Sequence, residues 1–292
     1  MLDNSPSLDR KQIGFASLTP FLLITFGLGW GILALFIFLP EKMNRIFGEI
    51  TGQHPLFFLA VWAPGIAAFV VVMHRAGFSG LKLYLCRLLL WRTSLPWYAF
   101  LIVGIPFLFF CGSALKGNLF AEPFPFTSTS ALLAALAFTA IKGPVEEFGW
   151  RGLALPLLQR RFAPFWAGSI LGVIWGFWHV PAFLLSGTPQ SAWSFTPFFV
   201  GGIAISVIMT ALFNASRGSI LLSALFHFQV NNPLWPDAQP YDTYFFVAAA
   251  VWVVWLNRKA MFSRDGNVTE VIPCKSGQQL CAYGQYVKGA GL

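Results

Sequence analysis

The sequence is poor in charge: 10% of its 292 residues are Asp, Glu, Lys or Arg, against about 25% in an ordinary soluble domain. Nineteen basic and eleven acidic side chains are too few to clothe a soluble core of this size, so much of the surface must face lipid. The acidic deficit leaves a net charge of +8, but the basic residues are spread along the chain. That spread argues against a nucleic-acid partner and fits the loop bias of a membrane protein. Cysteine is also scarce: Cys86, Cys111, Cys274 and Cys281 show no metal-binding spacing. Cys111 lies in an apolar run and reads as a small hydrophobe. Cys274 and Cys281 are expected as free thiols in a cytoplasmic tail. There is no HExxH, which excludes an ordinary zincin template. The first apolar run is too long for a cleavable signal and lacks a small-residue cleavage site. Internal repeats and low-complexity stretches are absent.

What the chain has instead is apolar length, with 57% hydrophobic and 17% aromatic residues. A membrane-crossing helix needs about 20 mostly apolar residues. The runs 16–39, 56–74, 96–114, 128–146, 164–185, 197–214, 217–232 and 241–257 meet or approach that length. The expected fold class is therefore all-α, a polytopic transmembrane bundle of about eight spans. With a cytoplasmic N-terminus, 16 basic residues fall in inner segments and only Lys42, Arg45 and Lys116 in outer ones. The bias predicts both termini in the cytoplasm, in a plasma membrane of bacterial type. Residues 79–95 mix leucines with Lys82, Arg87 and Arg92 and predict an amphipathic helix on the inner surface. Residues 1–262 read as the membrane domain and 263–292 as a polar tail. Asn267-Val268-Thr269 matches a glycosylation acceptor, which a cytoplasmic placement would make empty.

Two of the eleven acidic residues, Glu146 and Glu147, fall at the end of an apolar run, while the other nine read as tail or loop residues. Of the four histidines, His54 and His74 lie at span edges, whereas His179 and His227 lie inside apolar helices. An ionised side chain at mid-membrane costs roughly 2.5–3.5 kcal/mol on insertion scales, so such residues are functional candidates. Helical spacing relates them. Glu147 and Arg151 are four apart and can pair, and Glu146 is rotated by about 100° and can face another cavity. Trp175 with His179, and His227 with Asn231, also share faces. Taken singly, each has a structural reading: an ion pair, a packed histidine, an asparagine that ends a helix before Pro233. Together they supply what peptide hydrolysis needs. Glu146 can serve as general base if burial brings its basicity toward neutrality, and His179 can hold the water. His227 and Asn231 can donate to an oxyanion. Alternatively, Glu146, His179 and His227 form a His₂Glu set of the kind that holds catalytic zinc.

Three motifs in order resemble those of the CAAX protease and bacteriocin-processing family, also called the Abi family. Glu146-Glu147-Phe148-Gly149-Trp150-Arg151-Gly152 resembles its EExxxR motif. Trp175-Gly176-Phe177-Trp178-His179, with Pro181 beyond, resembles FxxxH, with Trp where Phe is usual. Gly218-Ser219-Ile220 leading to His227-Phe228-Gln229-Val230-Asn231 resembles HxxxN. The resemblance covers about residues 125–235. It implies an intramembrane endopeptidase acting on a membrane-attached protein or peptide. Glu146 and His179 would activate water, His227 and Asn231 would form the oxyanion site, and Glu147, Arg151 and Trp175 would orient them. The resemblance leaves zinc and the oligomeric state open. A transporter with an intramembrane proton relay, or a non-catalytic immunity or scaffold protein on the same fold, are the alternatives.

Overall fold

The computed structural model describes residues 13–119 and 126–273. Among them all regular structure is helical. The main helices are α1 (Leu18–Phe38), α2 (Ala63–Leu85), α3 (Leu95–Lys116), α4 (Thr129–Ile141), α5 (146–159), α6 (Pro164–Trp178), α7 (Phe195–Ala215), α8 (Ile220–Val230) and α9 (Asp242–Leu256). Four segments are long and apolar enough to cross a membrane: Phe15–Phe38, Ala63–Leu89, Leu95–Lys116 and Phe195–Ala215. The helices α6, α8 and α9 are shorter and apolar. Each expected run coincides with a helix, and α5 is additional. Large apolar side chains point outward along these helices, with Phe38 78% exposed, Ile102 67% and Val251 66%. Such a surface belongs in lipid, and the chain is an integral membrane protein.

Local chemistry sets the ends of these elements. The hydroxyls of Ser128 and Ser219 cap α4 and α8, accepting the amides of Ala131 at 3.2 Å and Leu222 at 2.9 Å, which satisfies donors the helix start leaves open. Pro164 opens α6, where its missing N–H costs nothing. Two π-helical turns, Phe100–Gly104 and Trp150–Ala154, each stand just before a proline, Pro106 and Pro156. A proline inside a helix removes an i→i−4 bond and crowds the preceding turn, and the wider turn takes up that mismatch.

The run 128–146 is not one helix. It stops at Ile141; Lys142 takes φ −90°, ψ −88°; and Gly143–Val145 forms a 3₁₀ turn before α5 begins at Glu146. The two carboxylates therefore open a new helix rather than closing an old one. The amphipathic helix expected over 79–95 is also redrawn. The segment continues α2 past a bend at Gly77 (φ 64°), ends in a 3₁₀ turn at Cys86–Leu89, and packs against protein. Arg87 is buried and donates to the Glu270 carbonyl, and Ser219 donates to the Leu90 carbonyl.

The described part of the tail likewise docks on the bundle. Gln159 donates to the Val268 carbonyl at 2.8 Å, and the Val268 amide donates to Asn214 Oδ1 at 3.1 Å. Arg160 donates from Nε to the Thr269 carbonyl at 2.8 Å and from Nη1 to the Ile13 carbonyl at 2.7 Å. The two ends of the described chain thus meet at one guanidinium. Asn267 donates its side-chain amide to the Ser263 carbonyl. Cys274 and Cys281 lie outside the described residues, and Cys86 and Cys111 are free.

Small residues bring α6 and α7 together: Ser206 donates to the Gly168 carbonyl at 2.8 Å, an approach open to glycine and serine in membrane helices. Trp150 is fully buried where α1, α5 and α6 meet, edge-on to Phe21 at 5.5 Å and to Trp178 at 5.9 Å. This aromatic block sets the position of the first turns of α5.

Candidate active site

Three helices bring the polar residues to one place. The first turn of α5 supplies Glu146 and Glu147, the end of α6 supplies Trp175 and His179, and the end of α8 supplies His227 and Asn231. A cavity of about 430 Å³ is lined by Glu146, Trp175, His179, His227 and Asn231, with Lys142 and Gly143 from the break. Its volume falls within the range of about 300–1,000 Å³ typical of ligand sites.

Glu146 is buried, and one carboxylate oxygen is held twice. Oε2 accepts the indole N–H of Trp175 at 2.9 Å and that of Trp150 at 3.2 Å. Trp150, four residues along the same helix, is a partner the sequence reading did not single out, although i,i+4 spacing carries the signal. Trp175 is central. Its ring lies 5.1 Å from the Arg151 guanidinium carbon, 5.3 Å from the His179 ring and 5.5 Å from the His227 ring. A phenylalanine there could offer the ring but no N–H.

Glu147 and Arg151 lie behind the cavity wall, both completely buried, with Nη1 of Arg151 at 2.9 and 3.1 Å from the two carboxylate oxygens. Glu147 Oε1 also meets Nδ1 of His227 at 2.7 Å. This contact joins residues 80 apart in sequence and was not foreseen. Since a carboxylate only accepts, Nδ1 of His227 carries a hydrogen, and Nε2 donates only when the ring carries both protons. His179 Nδ1 lies 2.8 Å from the Trp175 carbonyl; it is therefore the donor, and in the neutral ring Nε2 keeps its lone pair.

His227 Nε2 and Asn231 Nδ2 come together over the backbone of Gly143. A Cβ built on Gly143 would stand 2.7 Å from the first and 2.5 Å from the second. Asn231 sits at the C-cap of α8, so it ends the helix and lines the cavity at once. A carboxylate expected in a loop, Asp242, is instead buried at the start of α9 and lines the same cavity. It accepts from Gln239 at 3.0 Å and from the Thr243 amide at 2.9 Å. Among the described residues, no three His, Cys, Asp or Glu side chains are grouped as metal ligands.

Residues 127–232 match the family model described as Type II CAAX prenyl endopeptidase Rce1-like. The chain is also 28% identical over 179 residues to CAAX prenyl protease 2 of Methanococcus maripaludis, an alignment covering 57% of this chain and 63% of the relative. The chain thus spans somewhat less than two thirds of the curated relative it matches. The family resemblance read from the three motifs and these two similarities agree, and the matched region holds every residue gathered at the cavity from α5, α6 and α8.

Proposed function

We propose that the chain is an intramembrane endopeptidase that hydrolyses a peptide bond in a membrane-attached protein or peptide, with Glu146, His179, His227 and Asn231 as its catalytic residues. The observation that carries the proposal is the convergence of these four side chains on one cavity, while Glu147 and Arg151 pair behind its wall. The family match supports the same reaction class.

Glu146 keeps Oε1 available while two indoles hold Oε2, so it takes a proton from water in a fixed orientation. His179 Nε2 accepts the second water hydrogen and aims the oxygen at the scissile carbonyl. The oxygen of that carbonyl becomes negative as water adds. Asn231 Nδ2 donates to it, as does His227 Nε2 when that ring carries a proton on each nitrogen, a stabilisation of about 2.7–4 kcal/mol per donor in comparable sites. Glu147 holds the His227 proton at Nδ1, and Arg151 holds Glu147, so the pair positions the donor without touching substrate. Glu146 then delivers its proton to the leaving amine.

Zinc bound by Glu146, His179 and His227 is the alternative activator of the water. Metal analysis of purified protein, with activity measured before and after chelation and re-addition of Zn²⁺, separates the two. We assign the chain to a plasma membrane of bacterial type, although the relative is archaeal. The test of the function is comparison of new protein termini in membranes carrying wild-type, Glu146→Gln or His179→Ala protein. Both variants should insert normally and lose the termini that wild type generates; full cleavage by both would refute the assignment.

A further inference from the structure

The two ends of the bundle differ in charge. One end gathers the start of α1, the end of α5, the start of α6 and the end of α7. There Arg160 holds the Ile13 and Thr269 carbonyls, Gln159 donates to Asn214 at 3.2 Å, and Arg264 donates to the Arg160 carbonyl at 2.7 Å. The segment after α9 returns to this end, with the Phe262 ring 5.0 Å from that of Phe165. The start of α8 joins it through Ser219 and Leu90, and Arg87 reaches the Glu270 carbonyl alongside. Besides Arg160 and Arg264, this end and its loops hold Arg87, Arg161, Arg217, Arg258 and Lys259.

The cavity belongs to the other end. Gly29 and Leu33 from the second half of α1 line it, with the last residues of α6 and α8 and the early turns of α7 and α9. So do Gln190, Asn232, Asp237 and Gln239 from the connections at that end, where Asp237 pairs with Lys116 at the end of α3. Here Glu41, Glu49, Asp237 and Asp242 offset Lys42, Arg45, Lys116 and Lys142. Lys142 lines the cavity and Arg151 is completely buried, so neither belongs to the inner loops to which its sequence position assigned it. The asymmetry survives without them. Helix length gives the depth. The 15 residues of α6 place His179 roughly 22 Å along the axis from Pro164 at about 1.5 Å per residue. A hydrocarbon core is about 30 Å thick, so the reacting groups lie nearer the face opposite the basic end.

Lys and Arg in the short loops of membrane proteins concentrate on the cytoplasmic side. We propose that the basic end is cytoplasmic and that the cavity opens toward the extracytoplasmic face, so that the enzyme acts on membrane-attached peptides or proteins after their export. The substrate half rests on the peptidase reading; the sidedness rests on charge and geometry alone. The test is labelling of intact expressing cells with a membrane-impermeant maleimide. Cys86, Cys111, Cys274 and Cys281 are replaced by serine, and single cysteines enter at exposed positions: Glu49→Cys or Leu234→Cys at the cavity end, Asp265→Cys at the basic end. Glu49→Cys and Leu234→Cys should label to the same extent in intact and permeabilised cells, and Asp265→Cys only after permeabilisation. Labelling of Asp265→Cys in intact cells, or of the cavity-end cysteines only after permeabilisation, would overturn the proposal. A second measurement keeps the native cysteines. Protein termini that wild-type membranes carry and Glu146→Gln membranes lack should map to extracytoplasmic segments of exported proteins, and termini in cytoplasmic segments would overturn the proposal. Reversed labelling together with such cytoplasmic termini would refute the sidedness and leave the peptidase reading intact. The expected labelling with no termini lost in Glu146→Gln would uphold the sidedness and refute the peptidase reading.

Discussion

Replacing Gly143 by Ala puts the site geometry under direct test. The new methyl would stand 2.5 Å from Asn231 Nδ2 and 2.7 Å from His227 Nε2, where ordinary contact begins near 3.4 Å. Gly143 is not left-handed, so alanine suits its backbone and should restrict the unfolded chain, a gain of about 0.4–1 kcal/mol. Crowding two packed side chains costs about 1–3 kcal/mol. The net loss of stability is small, and the melting temperature should fall by no more than about 10 °C. Catalysis should respond much more. The two donors must retreat by about 1 Å, a misplacement that can reduce turnover about 100-fold. Because the oxyanion exists only on the way to product, kcat should fall and KM should hold. The assay pairs turnover of a peptide cleaved by wild type with thermal melting of the same detergent-solubilised preparations. A well-folded Gly143→Ala protein with wild-type kcat would refute the placement of the oxyanion site between His227 and Asn231.

Other expectations follow from the same contacts. Glu147→Gln leaves the fully buried Arg151 uncompensated and should destabilise by about 3–5 kcal/mol, seen as a lower melting temperature and poorer recovery from membranes. Trp175→Phe keeps a ring but removes the 2.9 Å N–H donor to Glu146. Hydrogen bonds to charged groups contribute about 1.5–3 kcal/mol, so kcat should drop about tenfold or more with little change in KM. Arg160→Ala frees the Ile13 and Thr269 carbonyls. Hydrogen exchange should rise across 264–272 while cleavage persists, and unchanged exchange would show that the tail is held by other contacts.

The bundle was legible because lipid demands long apolar runs, and each predicted run holds a helix. The placement of Glu147 opposite Arg151, and of Glu146 on another face, followed from helical spacing alone. The break before Glu146 was written in Gly143-Pro144, a pair that interrupts helices, yet the surrounding hydrophobicity masked it. The Glu147–His227 contact had no local signal: no periodicity joins residues on α5 and α8, and only packing brings them together. Arg87 misled for a similar reason. Its spacing among leucines fits a surface helix, and its burial depends on the Glu270 carbonyl, 183 residues away. Asp242 read as a loop acid because a carboxylate at a helix start looks the same whether solvent or a cavity lies beside it.

The docked tail also bears on the order in which the protein is made. Arg160 is synthesised 109 residues before Thr269, and Arg87 183 residues before Glu270. Until residues 268–270 emerge from the ribosome, the buried Arg87 lacks the Glu270 carbonyl, and Arg160, already bonded to the Ile13 carbonyl, lacks that of Thr269. A buried charge without its partners is among the more destabilising arrangements a protein can contain. The nascent bundle should therefore be loose at this end and prone to quality-control degradation, even after every membrane helix has been inserted. Chains stopped before Val268 should therefore be recovered from membranes in lower yield than full-length protein, although they carry every side chain that lines the cavity.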